Sequence, residues 1–344
     1  MRNPAFVDDH ISLSYGAGGG AMRALIEQVF SVGFGDVPGG VGLSAMDDGA
    51  AIPFGDGYLV FTTDAHVVQP IEFPGGDIGR LAVCGTVNDL AMMGATEPLA
   101  LACAAIIEAG FARADLERIW ASMREACRDA GTTIVTGDTK VMRSGEIDRL
   151  AITTTGIGFT RRLVRDSGLA EGDRIIVTGT VGDHGLAILA TRKELALDGQ
   201  LVSDVAPLNT LIRRALAVGG DDIVAMKDPT RGGLASALHE MADKSGTCVV
   251  LDETAVPVRD EVRAVGELLG IDPLIVANEG KAVIGVRAAR AEAVLDALRA
   301  HPLGRSAAIV GTCTLERPRS VIVETGVGRR LLVEPDGELL PRIC

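Results

Sequence analysis

Apolar residues follow a helical spacing near the start of the chain. The residues concerned are Met22, Leu25, Ile26, Val29 and Phe30. They recur at three- and four-residue intervals, which places them on one face of an α-helix. The pattern therefore predicts an amphipathic helix directly after the glycine run at 16–20.

Farther along the chain, short apolar runs alternate with helical patterns. Helices are predicted at about 77–93, 113–129, 183–193, 208–217, 232–243, 259–268 and 289–300. Strands are predicted at 59–63, 99–107, 132–136, 150–157, 173–178, 248–251, 281–286, 307–312, 319–324 and 330–333. Because strands and helices alternate, the expected fold class is α/β, built in layers.

The length of 344 residues suits two domains. A basic turn at 161–165 ends the first of them. We expect an N-terminal glycine-rich segment and helix at 1–40, a first domain at 41–160, a second domain at 161–334 and a tail at 335–344. Pro341 favours extended backbone in that tail. Ten residues span at most about 33 Å, so a mobile tail could reach a site on another domain.

Charge and cysteine content exclude several classes of protein. The net charge of −13 argues against a nucleic-acid partner. The sequence contains neither an 18-residue apolar run nor an apolar signal-peptide segment, so a cytoplasmic protein without a membrane helix is expected. The cysteines do not form a C-x-x-C pair, which argues against a zinc or redox site. Cys84, Cys103, Cys127 and Cys248 are expected in the core, whereas Cys344 stands apart as the last residue.

Aspartates cluster at the predicted strand ends of the first domain. Asp47 and Asp48 are adjacent, Asp64 ends a strand and Asp138 follows one. Hard oxygen ligands of this kind suit Mg²⁺ carrying phosphates. Lys140 lies two residues after Asp138, so the two would share a face in an extended chain. Taken singly, each aspartate could instead be a turn former.

These segments together resemble one ATP-binding superfamily. It contains aminoimidazole ribonucleotide synthetase, selenophosphate synthetase, thiamine-monophosphate kinase and the hydrogenase-maturation HypE family. The matching segments are 47–52, 62–64, 79–90 and 136–140. The resemblance implies a PurM-like fold with a sheet-and-helix ATP-binding domain, a C-terminal α/β sandwich domain and a flexible tail. It also implies that the glycine run covers the nucleotide phosphates, although a flexible linker remains the alternative.

The second domain adds two matching segments, at 228–234 and 278–281. Asp228 or Thr230 could cap the helix that follows, and a structural role for this segment is at least as well supported as a catalytic one. The glutamate of the HypE family that matches Glu279 lies at the reactive end of the nucleotide, which makes Glu279 a candidate base. The ending Pro341-Arg342-Ile343-Cys344 resembles the HypE family alone. Selenophosphate synthetase instead has its reactive residue near the N-terminus, and here no cysteine precedes Cys84.

The resemblance implies a reaction on Cys344. HypF would place a carbamoyl group on its sulfur, ATP would phosphorylate the carbamoyl oxygen, and loss of phosphate would leave a thiocyanate. Cyanide would then pass to the HypC–HypD complex. The expected catalytic residues are Cys344, Glu279, Lys140 and Asp89. The expected ATP-binding residues are Gly18, Gly19, Asp48, Asp64, Asn88, Gly137, Asp138 and Lys140. The expected Mg²⁺ ligands are Asp47, Asp64, Asp89 and Asp138.

The resemblance also implies a homodimer that pairs through the sheets of the first domains, with the strand at 99–107 as a candidate contact. Two other functions stay open at this point. One is a small-molecule kinase of the same superfamily, like thiamine-monophosphate kinase, which would have no use for Cys344. The other is a non-catalytic scaffold of the maturation complex that binds ATP only to set its shape.

Overall fold

The computed structural model describes residues 10–16, 18–195, 201–335 and 343. Its first half is built on a sheet with strand order β1-β2-β7-β5-β6. The elements of this half are α1 Gly19–Leu25, β1 Ala50–Phe54, β2 Gly57–His66, β3 Glu72–Phe73, β4 Gly76–Asp77, α2 Ile78–Met92, β5 Pro98–Glu108, α3 Arg113–Ala130, β6 Ile134–Met142 and β7 Leu150–Thr160. β5 and β6 are parallel, and the other neighbours in this sheet are antiparallel.

One face of this sheet is covered and the other is open. α2 is apolar on almost every side and buried along nearly its whole length, as expected of a helix packed between layers. Asp77 caps it by accepting hydrogen bonds from the backbone N–H groups of Gly79 and Arg80. On the opposite face Phe61, Ile157 and Leu99 are exposed, Leu99 to 60%. A row of apolar side chains therefore faces outward on the open side of the first sheet.

The second half is built on a sheet with strand order β14-β13-β10-β12-β8-β11-β9. Its elements are β8 Arg174–Val177, α4 Asp183–Arg192, α5 Asn209–Gly219, β9 Ile223–Lys227, α6 Gly233–Ser245, β10 Cys248–Asp252, α7 Asp260–Leu269, β11 Val283–Val286, α8 Ala291–Arg299, β12 Ala308–Thr314, β13 Ser320–Thr325 and β14 Gly328–Leu331. α6 shares one apolar core with this sheet, and α5 and α8 share another. None of the helices in the described ranges is both long and apolar enough to cross a membrane.

Most predicted elements are confirmed, and the differences have local causes. β1, β3, β4 and β9 have no counterpart among the predicted strands, and β3 and β4 are only two residues long. The predicted helix at 22–30 is wrong in its second half, where α1 gives way to a wider π-type winding at Ile26–Phe30. An extra residue per turn breaks the helical register. Of the predicted apolar face only Leu25 is buried, while Val29 and Phe30 are exposed.

A buried asparagine joins the two halves. Asn88 of α2 accepts a hydrogen bond from the Leu208 backbone N–H at 2.7 Å. Its side-chain amide donates to the backbone carbonyls of Ala206 at 3.1 Å and Glu279 at 3.2 Å. Every one of these partners belongs to the second half, so a single side chain ties α2 to the segment before α5 and to the Glu279 turn.

Replacing Asn88 with Ala should therefore destabilise the fold. The change leaves a backbone N–H and two carbonyls without this partner in a buried region, which costs about 2–4 kcal/mol in all. Urea unfolding followed by circular dichroism measures the free energy of unfolding. As a control, Arg113→Ala breaks an exposed ion pair with Glu117 and should change that free energy by less than about 0.5 kcal/mol. Equal stability of the two variants would contradict the role given to Asn88.

Candidate active site

Buried and half-buried carboxylates converge where the two halves meet. We call Asp48, Asp64, Asp89, Asp228 and Glu279 the carboxylate cluster. Asp64 lies on β2 and Asp89 on α2, whereas Asp228 directly follows β9. Burial raises the pKa of Asp89 well above its usual range, and the negative charges of Asp64, Asp228 and Asp48 raise it further. The sequence predicted Asp64 and Asp89 as neighbours in a site, and the fold brings them together.

Asp47 and Asp48 point to different partners, as expected of adjacent residues in extended backbone. The Asp47 carboxylate accepts a hydrogen bond from Arg165 Nε at 3.2 Å and lies near the backbone N–H of Asp166, at 3.4 Å. Asp48 Oδ1 accepts from Lys227 Nζ at 2.5 Å. Asp48 Oδ2 is buried and has no hydrogen-bond partner among the described residues. Asp48 therefore belongs to the cluster, while Asp47 is held to one side by Arg165.

Lys227 is the cation that pairs with the cluster. Its Nζ atom lies 2.5 Å from Asp48, 3.2 Å from Glu240 and 3.7 Å from Asp166. Burial acts to lower the pKa of Lys227, but these three carboxylates raise it well above its usual range. Lys227 therefore stays charged and offsets part of the negative charge around Asp48. No local pattern in the sequence points to this residue.

The motif at 228–234 contributes an acid to the site and not a helix cap. α6 begins at Gly233, and its N-cap is Gly232 in the left-handed conformation without a side-chain hydrogen bond. The predicted capping role of Asp228 or Thr230 is therefore wrong. Asp228 is only 7% exposed. Burial, together with the charges of Asp64 and Glu240, raises its pKa to about 6 despite the opposing charge of Lys227.

Glu279 is held by its backbone, while one oxygen of its carboxylate has no partner among the described residues. Asp204 accepts hydrogen bonds from the backbone N–H groups of Glu279 and Gly280 at 3.1 and 3.2 Å and from Lys281 Nζ at 3.0 Å. A Cβ atom on Gly280 would collide with the Asp204 carbonyl, so this turn requires glycine. Glu279 is 3% exposed, and its Oε1 has no partner among the described residues. Burial, then Asp228, Asp204 and Asp64, raise its pKa well above the usual range.

Strand β6 carries its predicted site residues away from the cluster. The strand register places Gly137 in one row with Cys103, Thr154 and Asp64. Asp138 and Lys140 alternate with that row, so they share a face as predicted, and it is the open face of the sheet. Both are exposed. Within one chain the structure does not bring Asp138 or Lys140 to the carboxylate cluster.

The remaining predicted residues lie around the edge of the cluster. Both N–H donors of the Asn88 side-chain amide are used in joining the two halves, and its oxygen accepts from the Leu208 backbone N–H. Gly18 and Gly19 have positive φ values of 82° and 71° and pack against Arg231 and the Pro335 carbonyl respectively. Arg231 in turn acts electrostatically on Asp228 and Glu279. The glycine segment therefore lies close to the 228–234 motif.

Cys344 and residues 336–342 lie outside the described residues, so the predicted mobile arm is described only at its two ends. Glu334, just before Pro335, pairs with Arg23 of α1 at 2.7 Å. Ile343 is 7% exposed and belongs to the apolar core that α2 and α3 share with α4 and α7. Its carbonyl oxygen lies 2.6 Å from His184 Nε2. The residue next to Cys344 is thus buried against the protein.

The carboxylate cluster fits a hard cation. The described residues do not include a group of three or more His, Cys, Asp or Glu side chains already set to hold a metal. However, Asp48 Oδ2 and Glu279 Oε1 are buried without a partner among the described residues, and burial together with neighbouring acids raises the pKa values of Asp48, Asp89, Asp228 and Glu279. Mg²⁺ typically takes one or two carboxylates together with water and substrate phosphates, so the donor set suits that ion.

Replacing Asp228 with Asn should stabilise the nucleotide-free protein at neutral and alkaline pH. The folded chain holds the Asp228 proton more tightly than the unfolded chain, because the folded pKa is about 6 against a usual value of 3.8. Stability from this group is therefore greatest at low pH and is lost as the pH rises through that window. At pH 8 the substituted asparagine, which cannot ionise, should add up to about 3 kcal/mol to the free energy of unfolding.

Urea unfolding at pH 5 and pH 8 measures this gain, which should shrink at the lower pH. Asp56→Asn is the control, because Asp56 is exposed and paired with Arg161, so its replacement should not stabilise the protein at either pH. A lower free energy of unfolding for Asp228→Asn than for the wild type at pH 8 would contradict the unfavourable burial and repulsion assigned to the Asp228 carboxylate.

Two family models match the chain. Residues 46–160 match the N-terminal domain of AIR synthase related proteins, and residues 170–324 match the C-terminal domain of the same proteins. A carbamoyl dehydratase HypE from Rhizobium leguminosarum bv. viciae is 46% identical over 337 residues, which cover 97% of this chain and 95% of the relative. The carbamoyl dehydratase HypE of Escherichia coli K12 is 43% identical, with 98% and 100% covered.

Solved structures agree with these relatives. A crystal structure of a HypE–HypF complex superposes with a TM-score of 0.84 at 43% identity, covering 91% of this chain and 100% of that chain. HypE in complex with ATP superposes with a TM-score of 0.81 at 42% identity, with 97% and 100% covered. A thiamine monophosphate kinase of Aquifex aeolicus, at 18% identity and a TM-score of 0.59, shares the fold alone. With this likeness over nearly its whole length, the chain belongs to the HypE carbamoyl dehydratase family.

Proposed function

We propose that this chain is an ATP-dependent carbamoyl dehydratase that acts on a carbamoyl group carried by its own Cys344. The product would be a thiocyanate on the same sulfur, a source of cyanide for the iron of [NiFe]-hydrogenase. The observation that carries the proposal is Glu279, a buried glutamate with an unpaired oxygen and a raised pKa at the junction of the two halves. The names of the relatives, carbamoyl dehydratase HypE, support the same chemistry.

The reaction needs a phosphoryl acceptor, a base and a leaving group. The carbamoyl oxygen attacks the γ-phosphorus of ATP, and ADP leaves. One N–H proton is lost to solvent as the iminyl phosphate forms. Glu279 then takes the second N–H proton, the C–O bond breaks, and phosphate departs with the oxygen, which leaves S–C≡N. An amide oxygen is a poor leaving group until it is phosphorylated. Because phosphoryl transfer depends mainly on positioning and charge neutralisation, a cluster of fixed charges suits this step.

Bound Mg²⁺ would neutralise charge on the ATP phosphates. Of the predicted ligands, Asp64 and Asp89 lie within the carboxylate cluster, where Asp48 also has an unpaired oxygen. Asp89 is oriented by Thr62, whose hydroxyl donates to it at 2.8 Å. Asp47 would contribute only if Arg165 released it.

Asp138 and Lys140 would act from a second copy of the chain. We propose a homodimer formed by the open face of the first sheet, where Phe61, Leu99 and Ile157 are exposed beside these two residues. A contiguous exposed apolar face marks a protein interface. Pairing of two such faces would bury the apolar row and carry Lys140 toward the neighbouring copy.

The family membership also suggests partners for this protein. A relative forms a complex with HypF, and we propose HypF as the carbamoyl donor and the HypC–HypD complex as the acceptor of cyanide. The described cysteines are free and buried, as is usual in a reducing compartment, so we place the protein in the cytoplasm. We also propose the division into units at 1–40, 41–160, 161–334 and 335–344.

The dimer can be tested together with the shared site. Light scattering at micromolar concentration should give twice the mass of the chain, 35.7 kDa, and Leu99→Asp should give the monomer because it places a charge in the interface. The control is Arg113→Asp, a substitution of an exposed residue of α3, on the other side of the sheet.

Mixed dimers test the shared site. Dimers of Lys140→Ala and Glu279→Gln chains should recover up to about a quarter to a half of wild-type activity if Lys140 serves the partner's site. A monomeric wild-type protein would overturn the dimer.

Three substitutions distinguish the residue that carries the carbamoyl group, Cys344, from the residue that catalyses its dehydration, Glu279. Cys344→Ala should bind ATP but form no thiocyanate. Cys344→Ser could carry only an oxygen ester of carbamate and should also fail to supply cyanide. Glu279→Gln should accept the carbamoyl group and dehydrate it about 10²–10⁴ times more slowly, because the proton acceptor is gone. The raised pKa of Glu279 predicts a wild-type rate that rises with pH through a value above the usual glutamate range, and this dependence should vanish in Glu279→Gln.

The mass of the C-terminal peptide follows each step. After incubation with HypF, carbamoyl phosphate and ATP, it should gain about 43 Da on carbamoylation and then lose about 18 Da on dehydration. Absence of the second mass in the wild-type protein would refute the dehydratase proposal. ATP turnover that does not depend on Cys344 would favour a small-molecule kinase, and ATP binding without any turnover would favour a scaffold.

A further inference from the structure

A buried histidine outside the carboxylate cluster contacts the residue that precedes Cys344. His184, the second residue of α4, is fully buried. Its Nε2 atom lies 2.6 Å from the Ile343 carbonyl oxygen, and its Nδ1 atom lies 2.7 Å from Ser203 Oγ. The Phe73 ring meets the imidazole edge-on, with 5.4 Å between the ring centres. Both ring nitrogens are therefore engaged, and one partner is the chain just before Cys344.

The hydrogen-bond partners determine the direction of each bond. A carbonyl oxygen only accepts, so His184 Nε2 carries the proton and donates to Ile343. Burial lowers the pKa of His184, although the Ile343 carbonyl and Asp204 raise it, so the ring is neutral. Nδ1 of a neutral ring must then accept from Ser203 Oγ. Ser203 Oγ in turn accepts from the Val205 backbone N–H at 3.1 Å.

The surroundings hold this chain of bonds rigidly. The Ser203 backbone N–H donates to the Pro74 carbonyl at 2.8 Å, and a Cβ atom on Gly75 would lie 2.8 Å from the Ser203 carbonyl oxygen. The turn between β3 and β4 is therefore closely packed against Ser203. The charged groups that act on the imidazole are Asp204, which also anchors Glu279, and Arg192. The His184 contact thus adjoins the segment that fixes the candidate base.

We propose that His184 and Ser203 form a receptor for the backbone of Ile343 and thereby position Cys344 for dehydration. Consecutive Cα atoms are only about 3.8 Å apart, so holding the Ile343 carbonyl limits where the Cys344 sulfur can go. The carbonyl bond sets the register of the segment, and burial of the Ile343 side chain supplies affinity. His184 is a positioning residue in this scheme, and the positioning role rests on the proposed dehydratase function.

The first test measures docking without turnover. Alkylation of Cys344 by iodoacetamide is followed in the mass spectrum of the C-terminal peptide, in full-length protein without nucleotide. His184→Phe keeps a ring but removes the donor, and should raise the alkylation rate about two- to tenfold, the effect of one hydrogen bond. His184→Gln retains an N–H donor and should restore a rate near that of the wild type. His301→Phe, at a hydrogen-bonded histidine elsewhere in the second half, is the control and should leave the rate unchanged.

Ile343→Ala leaves His184 and the Ile343 carbonyl in place and removes only the buried side chain of the docked segment. It should also raise the alkylation rate, and its effect should not add to that of His184→Phe, because both variants release the same segment. If His184→Phe fails to fold by circular dichroism, Ile343→Ala decides whether the segment docks. Equal alkylation rates in the wild-type, His184 and Ile343 proteins would overturn the receptor.

The second test measures positioning. In single turnovers of carbamoylated chain, His184→Phe should slow dehydration about two- to tenfold at saturating ATP while the KM for ATP stays unchanged, and His184→Gln should recover the rate. An unchanged rate in His184→Phe would overturn the positioning role. If the alkylation results are as expected but the wild-type chain forms no thiocyanate, the receptor stands and the dehydratase proposal fails.

Discussion

Carboxylates that lie side by side inside a protein repel one another. Other interactions of the fold must offset this repulsion within the carboxylate cluster. Lys227 offsets the charge of Asp48, but Glu279 Oε1 has no such partner among the described residues. The arrangement persists because the backbone around it is fixed independently, by Asn88 and by Asp204. A binding partner that brings positive charge would relieve the repulsion, and the metal ion proposed to accompany the nucleotide would be such a partner.

The two halves of the chain have different parts in this arrangement. The first sheet and α2 supply Asp64 and Asp89 from regular elements, whereas Asp228 and Glu279 come from turns at the ends of strands in the second half. A site assembled across such a junction depends on how the halves pack. Asn88 is therefore a structural link between the halves, since both N–H donors of its amide are engaged within the protein.

Much of the fold could be predicted from the sequence because the patterns are long. The 18-residue helix α3 and the 11-residue strands β5 and β7 each bury one face. The spacing of apolar residues along the sequence indicates such a face directly. The helical prediction fails at 26–30 because a change in winding leaves no trace in the spacing of apolar residues. An aspartate before Pro-Thr-Arg-Gly fits a helix start locally, so only the packed structure reveals the other role of Asp228. No local sequence pattern predicts the roles of Lys227, Asp204 and His184. Their partners lie more than 70 positions away in the sequence or in another element.

The buried thiols bear on the selectivity of any reaction at sulfur. Burial raises the pKa of Cys84 and of Cys313 to about 12 and also raises the pKa of Cys103 and Cys127. A thiol reacts with electrophiles as its thiolate, so these four side chains are nearly inert at neutral pH, and Cys248 is shielded by burial. The described cysteines are thus poor targets for acylating reagents. A transferase that delivers an activated carbamoyl group would not need to discriminate among cysteines by shape, because the fold has already removed the competitors.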